Sequence, residues 1–203
     1  MELYGVELKR FEEDPSLLEG LDPRYYDAWI ARHGEKANER VRRAGLGGLR
    51  LLQSAGYLGE LIYDANGRPS LVGAEIDFNI THTEHYAFCA IAQKGARVGL
   101  DAEEARRMST LRSFALAERW FVDGERRAFA KEPTVDCFLR IWTRKEALLK
   151  WTGEGLRAVM REDTTDAEMR HGVKFYDFSE GGIVLTLCCD ASAEPPTGLI
   201  WRA

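Results

Sequence analysis

Strand-like and helix-like patterns occur in both halves of this 203-residue chain. Seven segments have the apolar alternation or short apolar run that predicts a β-strand. They are residues 4–8, 76–80, 86–92, 97–103, 173–178, 183–189 and 197–202. Helical spacing, or a capping residue followed by proline, predicts five helices. One begins at Asp22-Pro23, and the others span 35–55, 109–121, 123–130 and 134–151. The mixture predicts an α+β fold.

Three glycine-containing turns divide these segments. The Asn-Gly-Arg-Pro run at 66–69 predicts a turn between two strands, and the glycines at 181 and 182 predict a hairpin. The Gln-Lys-Gly run at 93–95 predicts a second hairpin, in which segment 97–103 returns beside segment 86–92.

The predicted helix at 35–55 has apolar positions at Val41, Leu46, Leu49 and Leu52. It also contains glycines at 45, 47 and 48, and each costs about 1 kcal/mol relative to alanine inside a helix. Three such residues indicate close packing, or a ligand against the backbone.

The composition argues against several classes of protein. No apolar run approaches the roughly 20 residues of a membrane-spanning helix. The first residues lack the basic and apolar parts of a secretory signal, which favours a cytoplasmic location. A net charge of −5 argues against a general nucleic-acid binder. The four cysteines have no zinc-site spacing, so we expect buried free thiols.

Two acidic residues stand near the end of the predicted strand at 97–103. Asp101 and Glu103 are two positions apart, so their side chains project from one face, opposite to Leu100 and Ala102. Neighbouring carboxylates repel each other unless a cation lies between them. Mg²⁺ commonly binds one or two carboxylates together with phosphate oxygens. Taken alone, the pair indicates either a Mg²⁺ site or a solvated strand end.

The predicted helix at 134–151 carries a second charged pair. Glu146 and Lys150 are four residues apart and lie on one helical face. They form either an ordinary helix ion pair or part of a phosphate-handling site. Two tryptophans, two lysines and a Gly-x-Gly turn at 153–155 favour the second interpretation. Lys145 is expected to point towards Glu146 rather than to solvent.

His82 follows the predicted strand at 76–80 and lies between two threonines. A protonated imidazole at this position would donate a charge-assisted hydrogen bond to a pyrophosphate. The alternative is a structural histidine.

Five motifs in order resemble those of the Sfp-type 4′-phosphopantetheinyl transferases. They are Gly67-Arg68-Pro69, Phe78 to Thr83, Val98 to Glu103, Arg119-Trp120-Phe121 with Glu125, and Trp142 to Lys150 continuing to Gly153-Glu154-Gly155-Leu156. Arg43 resembles an early arginine of the family, so the resemblance covers residues 40–156. Members of this family move the phosphopantetheine arm of coenzyme A onto a serine of a carrier protein.

The resemblance implies a metal site and a catalytic group. Asp101, Glu103 and Glu146 would hold Mg²⁺ against the pyrophosphate of coenzyme A. Asp101, Glu146 and Lys150 would be catalytic. Glu146 is implied as the base for the serine proton, directly or through water. Lys150 would neutralise the transferring phosphate or protonate the leaving group, 3′,5′-ADP.

The resemblance also implies that basic residues contact coenzyme A. These residues are Arg43, Arg68, His82, Lys145 and Lys150. Arg43 would bind the 3′-phosphate, Arg68 would lie near the adenine or that phosphate, and His82 would contact the pyrophosphate.

The family fold implies a pseudo-dimer of two α+β halves, 1–96 and 97–203, with the active site in the cleft between them. The first half would contact the adenosine and phosphates, and the second would carry the metal-binding carboxylates and the catalytic helix. The implied partners are coenzyme A and an apo acyl or peptidyl carrier protein, with no nucleic acid and no membrane. We expect a monomer of the holo-[acyl-carrier-protein] synthase type.

Carrier proteins of this pathway are generally acidic, so the docking surface for the carrier protein should be basic or apolar. The predicted helix at 109–121, with Arg112, Phe114 and Leu116, is the candidate.

Two alternative functions would also involve coenzyme A, but neither would modify a carrier protein. A Mg²⁺-dependent hydrolase of the coenzyme A pyrophosphate would use water in place of the serine and would need no carrier surface. A non-catalytic coenzyme A-binding relative is disfavoured by the presence of Asp101, Glu103, Glu146 and Lys150 together.

Overall fold

The computed structural model describes residues 1–154 and 160–202. The chain divides into two compact units. The first consists of Met1–Ala96 and Glu194–Ala203, and the second of Arg97–Ala193. Both units contain helices and strands, which confirms the predicted α+β class.

The first unit contains ten helices and strands among its described residues. In chain order they are β1 (Glu2–Glu7), α1 (Lys9–Glu13), α2 (Ser16–Glu19), α3 (Pro23–His33), α4 (Glu39–Ser54), β2 (Leu61–Tyr63), β3 (Pro69–Leu71), β4 (Ile76–His82), β5 (Tyr86–Gln93) and β9 (Leu199–Trp201). The main sheet has the order β4-β5-β1-β9, and β2 pairs with β3 separately. Because β9 pairs in parallel with β1, the end of the chain lies in the first unit. The boundaries of the predicted second half, 97–203, are corrected accordingly.

Helix α4 packs on the main sheet of the first unit. Its side chains at Leu46, Leu49 and Leu52 are buried as predicted, whereas Val41 is exposed. The helix begins after Asn38, whose side chain accepts a hydrogen bond from the Arg40 N–H at 2.9 Å. A Cβ at any of the three helical glycines would collide with a neighbouring side chain, such as that of Trp29 or Ile80. The close-packing interpretation of these glycines is therefore confirmed.

The second unit has a three-stranded antiparallel sheet of order β6-β8-β7. Among its described residues, the elements are β6 (Val98–Glu104), a 3₁₀ helix (Ala105–Arg107), α5 (Thr110–Trp120), α6 (Asp123–Lys131), α7 (Val135–Thr152), α8 (Ala167–His171), β7 (Val173–Glu180) and β8 (Ile183–Asp190). The predicted hairpin through the glycines at 181 and 182 is confirmed as β7 and β8. Helix α7 packs against β6 and β8.

The boundaries of α5 and α7 follow from their capping residues. The Ser109 hydroxyl accepts a hydrogen bond from the Arg112 N–H, and the Thr134 hydroxyl accepts one from the Cys137 N–H at 3.1 Å. Gly153 ends α7 in the left-handed region, at φ 72°, which glycine adopts without steric cost. These signals explain why the predicted bounds agree with the structure to within one or two residues.

The predicted hairpin at 93–95 is wrong. Strand β5 lies in the first unit between β4 and β1, so both of its edges are occupied by other strands. Strand β6 lies in the second unit and pairs with β8. The turn therefore connects two sheets rather than two paired strands.

The two units share a connectivity. In each, a first strand is followed by helices and later by an antiparallel hairpin, which is β4 and β5 in the first unit, after the separate β2 and β3 pair, and β7 and β8 in the second. The first strand pairs with the second strand of that hairpin, β1 with β5 and β6 with β8.

The four cysteines are free and buried, as expected. Among the helices of the described residues, none combines the length and the apolar character needed to cross a bilayer.

Candidate active site

Strand β6 and helix α7 approach each other unusually closely at Gly99. A Cβ at this position would overlap the carbonyl oxygen of Ala147 and the backbone nitrogen of Trp151. Glycine therefore permits the backbones of the helix and the strand to come into contact. Since alternate strand residues share a face, Asp101 and Glu103 lie on the same side of β6 as Gly99, towards α7.

Lys150 connects α7 to β6. Its Nζ donates hydrogen bonds to the backbone oxygen of Leu100 and to Oδ1 of Asp101, both at 2.8 Å. Asp101 is buried, and the Lys150 side chain is 27% exposed. The close packing at Gly99 makes these bonds possible, because it brings the final turns of α7 within reach of the strand.

Glu146 and Glu103 belong to the same electrostatic cluster. Burial raises the pKa of Glu103 to about 7, and the negative charges of Asp101 and Glu146 add to this increase. The positive charges of Lys150 and Arg112 oppose it. Burial and Asp101 likewise raise the pKa of Glu146, against the opposing effect of Lys150. Three carboxylates thus interact with one another and with a single lysine, as the predicted grouping requires.

The three carboxylates do not form a ready metal site in this arrangement. Within residues 1–154 and 160–202, no group of three or more His, Cys, Asp or Glu side chains is placed to hold a metal ion. The ammonium of Lys150, bound to Asp101, supplies positive charge to the cluster. The chemistry of the donors nevertheless fits Mg²⁺, since all three offer the hard oxygen ligands that this ion prefers.

The middle of α7 is fixed to the sheet by a short polar chain. The hydroxyls of Thr143 and Thr186 are hydrogen-bonded at 2.8 Å, and both residues are fully buried. The Thr186 hydroxyl also donates to Asp177, which pairs with Arg144. This chain holds α7 against β7 and β8 one turn before Glu146.

Lys145 does not point towards Glu146 or into an open site. Its side chain is 0% exposed, and its Nζ lies 2.9 Å from Oε2 of Glu125. The expectation that Lys145 contacts coenzyme A is therefore corrected, because its ammonium is enclosed within the second unit. Sequence reasoning placed Glu125 in a motif but missed its pairing with Lys145.

The basic residues predicted for the first unit have carboxylate neighbours. Arg43 pairs with Glu12 and Glu39 and lines a pocket of about 540 Å³. Arg68, in the predicted turn, pairs with Asp77 at 2.6 Å. His82 ends β4 and is exposed. The ligand-binding roles of these residues stay predictions.

Part of the last predicted motif, Gly155 and Leu156, lies outside the described residues. The structural role of Gly99 was also missed, although a glycine inside an apolar strand is a signal of close backbone approach.

Three interacting carboxylates beside a lysine suit an enzyme that handles phosphate groups, because carboxylate and phosphate oxygens together satisfy Mg²⁺. A family model described as the 4′-phosphopantetheinyl transferase superfamily matches residues 97–194. The 4′-phosphopantetheinyl transferase AcpT of Salmonella typhimurium is 35% identical over 147 residues, which cover 68% of this chain and 72% of that protein. This chain belongs to the 4′-phosphopantetheinyl transferase superfamily.

Two other relatives match shorter parts. The 4′-phosphopantetheinyl transferase HetI of a Nostoc species is 36% identical over 126 residues, or 56% of this chain. The match spans about half of HetI, 52% of its length. The 4′-phosphopantetheinyl transferase gsp of Aneurinibacillus migulanus is 33% identical over 93 residues, which cover 44% of this chain and 36% of that protein.

Proposed function

We propose that this chain transfers the 4′-phosphopantetheine group of coenzyme A to a serine of an apo acyl or peptidyl carrier protein. The reaction releases 3′,5′-ADP, depends on Mg²⁺ and is of the holo-[acyl-carrier-protein] synthase type. One observation carries this proposal: Lys150 and Glu146 of α7 share an electrostatic cluster with Asp101 and Glu103 of β6. In a member of this superfamily, such a cluster is suited to the pyrophosphate of coenzyme A.

Asp101, Glu103 and Glu146 are the residues that would hold Mg²⁺. When bound, the ion supplies positive charge to the pyrophosphate oxygens and so favours departure of the nucleotide. Mutual repulsion of the three carboxylates supports this assignment, because a divalent cation removes the cost of ionising them together.

Glu146 and Lys150 have complementary roles. In the metal-free protein, burial and Asp101 raise the pKa of Glu146. We assign its carboxylate as the acceptor of the serine proton, directly or through water, because it lies in the cluster with Asp101 and Lys150. Lys150 is already positioned by the Leu100 carbonyl and by Asp101. Its charge would stabilise the transferring phosphate or allow protonation of the leaving group.

We assign the remaining contacts with coenzyme A to Arg43, Arg68 and His82. The pocket beside Arg43 has apolar residues such as Phe11 and Leu18 as well as charged ones, which suits a nucleotide. The shared connectivity of the two units supports the expected pseudo-dimer. An active site in a cleft between the units, a monomeric state and a cytoplasmic location stay predictions.

We propose that the carrier protein binds to the exposed face of α5. Leu111 and Phe114 are 86% and 47% exposed on this helix, and Arg112 is also exposed. Leu116 is half-buried. An apolar surface with a basic residue suits an acidic carrier protein, through apolar burial and charge complementarity.

Intact-mass spectrometry of a carrier protein tests the proposal. The apo carrier is incubated with the chain, coenzyme A and Mg²⁺, and a phosphopantetheine-sized mass gain is expected. Glu146→Gln should lower the rate by about 10²- to 10⁴-fold, the usual contribution of a general base. Glu132→Gln is the matched control, because Glu132 is exposed and pairs only with Arg140 among the described residues.

The outcomes separate the candidate functions. Cleavage of coenzyme A without a mass gain would indicate a hydrolase, and neither change would indicate a binding protein. Near-normal transfer by Glu146→Gln would refute the role assigned to Glu146.

A further inference from the structure

A buried ion pair links α7 to α6 within the second unit. Lys145 and Glu125 are both 0% exposed, and their charged atoms are 2.9 Å apart. Lys145 Nζ also donates to the backbone oxygens of Glu162, at 2.6 Å, and Met160, at 3.3 Å. All three ammonium protons of Lys145 therefore have acceptors.

The carboxylate oxygens of Glu125 also have a full set of hydrogen-bond donors. Its Oε1 accepts hydrogen bonds from the Thr164 N–H, at 3.0 Å, and from the Thr164 hydroxyl, at 2.7 Å. Its Oε2 accepts one from the Val122 N–H, at 3.1 Å, in addition to Lys145. A carboxylate offers about four acceptor positions, and all four are used. The network has no capacity left for a ligand, so its role is internal.

Three parts of the second unit meet in this network. They are α7 through Lys145, the start of α6 through Glu125, and segment 160–164 through Thr164 and two carbonyl groups. Burying two charges costs several kcal/mol each, and apolar residues of similar volume often stabilise a core as well or better. Net stability alone is therefore a weak explanation for this pair.

We propose that Lys145 and Glu125 are positioning residues for phosphopantetheine transfer. Their ion pair fixes the rotation of α7 about its own axis and thereby presents Glu146 and Lys150 to Asp101. This inference rests on the function proposed above. It adds an ion pair that acts through α7 and does not itself contact the reacting groups.

A small rotation of a helix about its own axis is enough to misplace its catalytic side chains. Side-chain tips lie about 5–6 Å from the axis, so a rotation of about 10° displaces them by about 1 Å. A misplacement of about 1 Å can lower a reaction rate by about 100-fold. Lys145 adjoins Glu146 in sequence, so any rotation that its ion pair prevents would also move the catalytic glutamate.

The double variant Lys145→Met/Glu125→Gln tests the inference. It removes both charges together and keeps an amide oxygen that can accept from Thr164. We expect a folded protein whose kcat is about 10- to 100-fold lower. The KM for coenzyme A should change by less than about 3-fold, since the lost positioning acts on the reacting groups rather than on binding.

A crystal structure of the double variant gives a readout independent of activity. The distance from Lys150 Nζ to Asp101 Oδ1, 2.8 Å in the parent, should exceed about 3.5 Å, beyond hydrogen-bond range. Arg140→Gln is the matched control: Arg140 also lies on α7, but its ion pairs with Glu132 and Asp136 are exposed. Its kcat should stay within about 2-fold of the parent.

Each outcome is decisive. A folded double variant with the parent kcat and the parent Lys150–Asp101 distance would overturn the inference. A double variant that does not fold would also overturn it, because the pair would then be required for the fold itself. If the parent protein modifies no carrier protein, the proposed function fails instead, and the distance measurement still reports on positioning.

Discussion

Replacing Gly99 by alanine perturbs the contact on which the candidate site depends. The new Cβ would lie at least about 1 Å inside the normal contact distance to the Ala147 oxygen and the Trp151 nitrogen. Both atoms belong to the backbone of α7, so no side chain can rotate to relieve the overlap. The helix must therefore move away from β6 by about 1 Å.

This displacement has two expected consequences. Overpacking of this kind costs about 1–3 kcal/mol, which for a chain of this size lowers Tm by roughly 2–12 °C. The hydrogen bond between Lys150 and Asp101, 2.8 Å long, would be lost or lengthened. Because this pair orients Lys150, we expect kcat to fall by about 100-fold.

Thermal unfolding and the carrier-modification assay measure these effects side by side. Gly59→Ala is the control, since a Cβ at Gly59 would meet its nearest neighbours at 3.9 Å. That substitution should change the free energy of unfolding by no more than about 0.5 kcal/mol. A Gly99→Ala variant with the Tm and kcat of the parent would show that the close packing of α7 on β6 is not required.

Three further predictions concern single charged residues. Folding raises the pKa of Glu103 from 4.5 to about 7, so the folded state holds this proton more tightly than the unfolded chain. Without Mg²⁺, the parent should therefore lose thermal stability relative to Glu103→Gln as the pH rises from 4.5 to 7, and an unchanged difference in Tm would contradict this. Lys150→Met should lower kcat by about 100-fold or more in the carrier assay, and a rate within 3-fold of the parent would exclude its proposed role. Arg112→Glu should raise the KM for an acidic carrier protein several-fold at physiological salt, and an unchanged KM would remove α5 as the docking surface.

Local signals in the sequence predicted the elements of the second unit well. Ser109, Thr134 and Gly153 mark the ends of α5 and α7, because caps and left-handed glycines act within a few residues. Which strands pair with one another was harder to predict from the sequence. Alternation identifies β5 and β6 as strands, but only the tertiary structure shows that β4 and β1 occupy both edges of β5.

The grouping of Asp101, Glu103, Glu146 and Lys150 was predictable from strand and helix periodicity together with the family resemblance. The environment of Lys145 was not, because its partner Glu125 lies on another helix and two of its acceptors are backbone oxygens at 160 and 162. Such long-range contacts leave no periodic pattern in the sequence. Val41 shows the same limit: it fits the apolar pattern of α4 and is nevertheless exposed.

The sharing of one divalent cation by Asp101, Glu103 and Glu146 is tested most directly by a crystal structure with coenzyme A and Mn²⁺, a substitute for Mg²⁺ that can be located by its anomalous scattering. We predict one anomalous peak in contact with these three carboxylates and with the pyrophosphate. A pyrophosphate bound with no peak beside Asp101, or with the three carboxylates too far apart to contact the same ion, would contradict the proposed site.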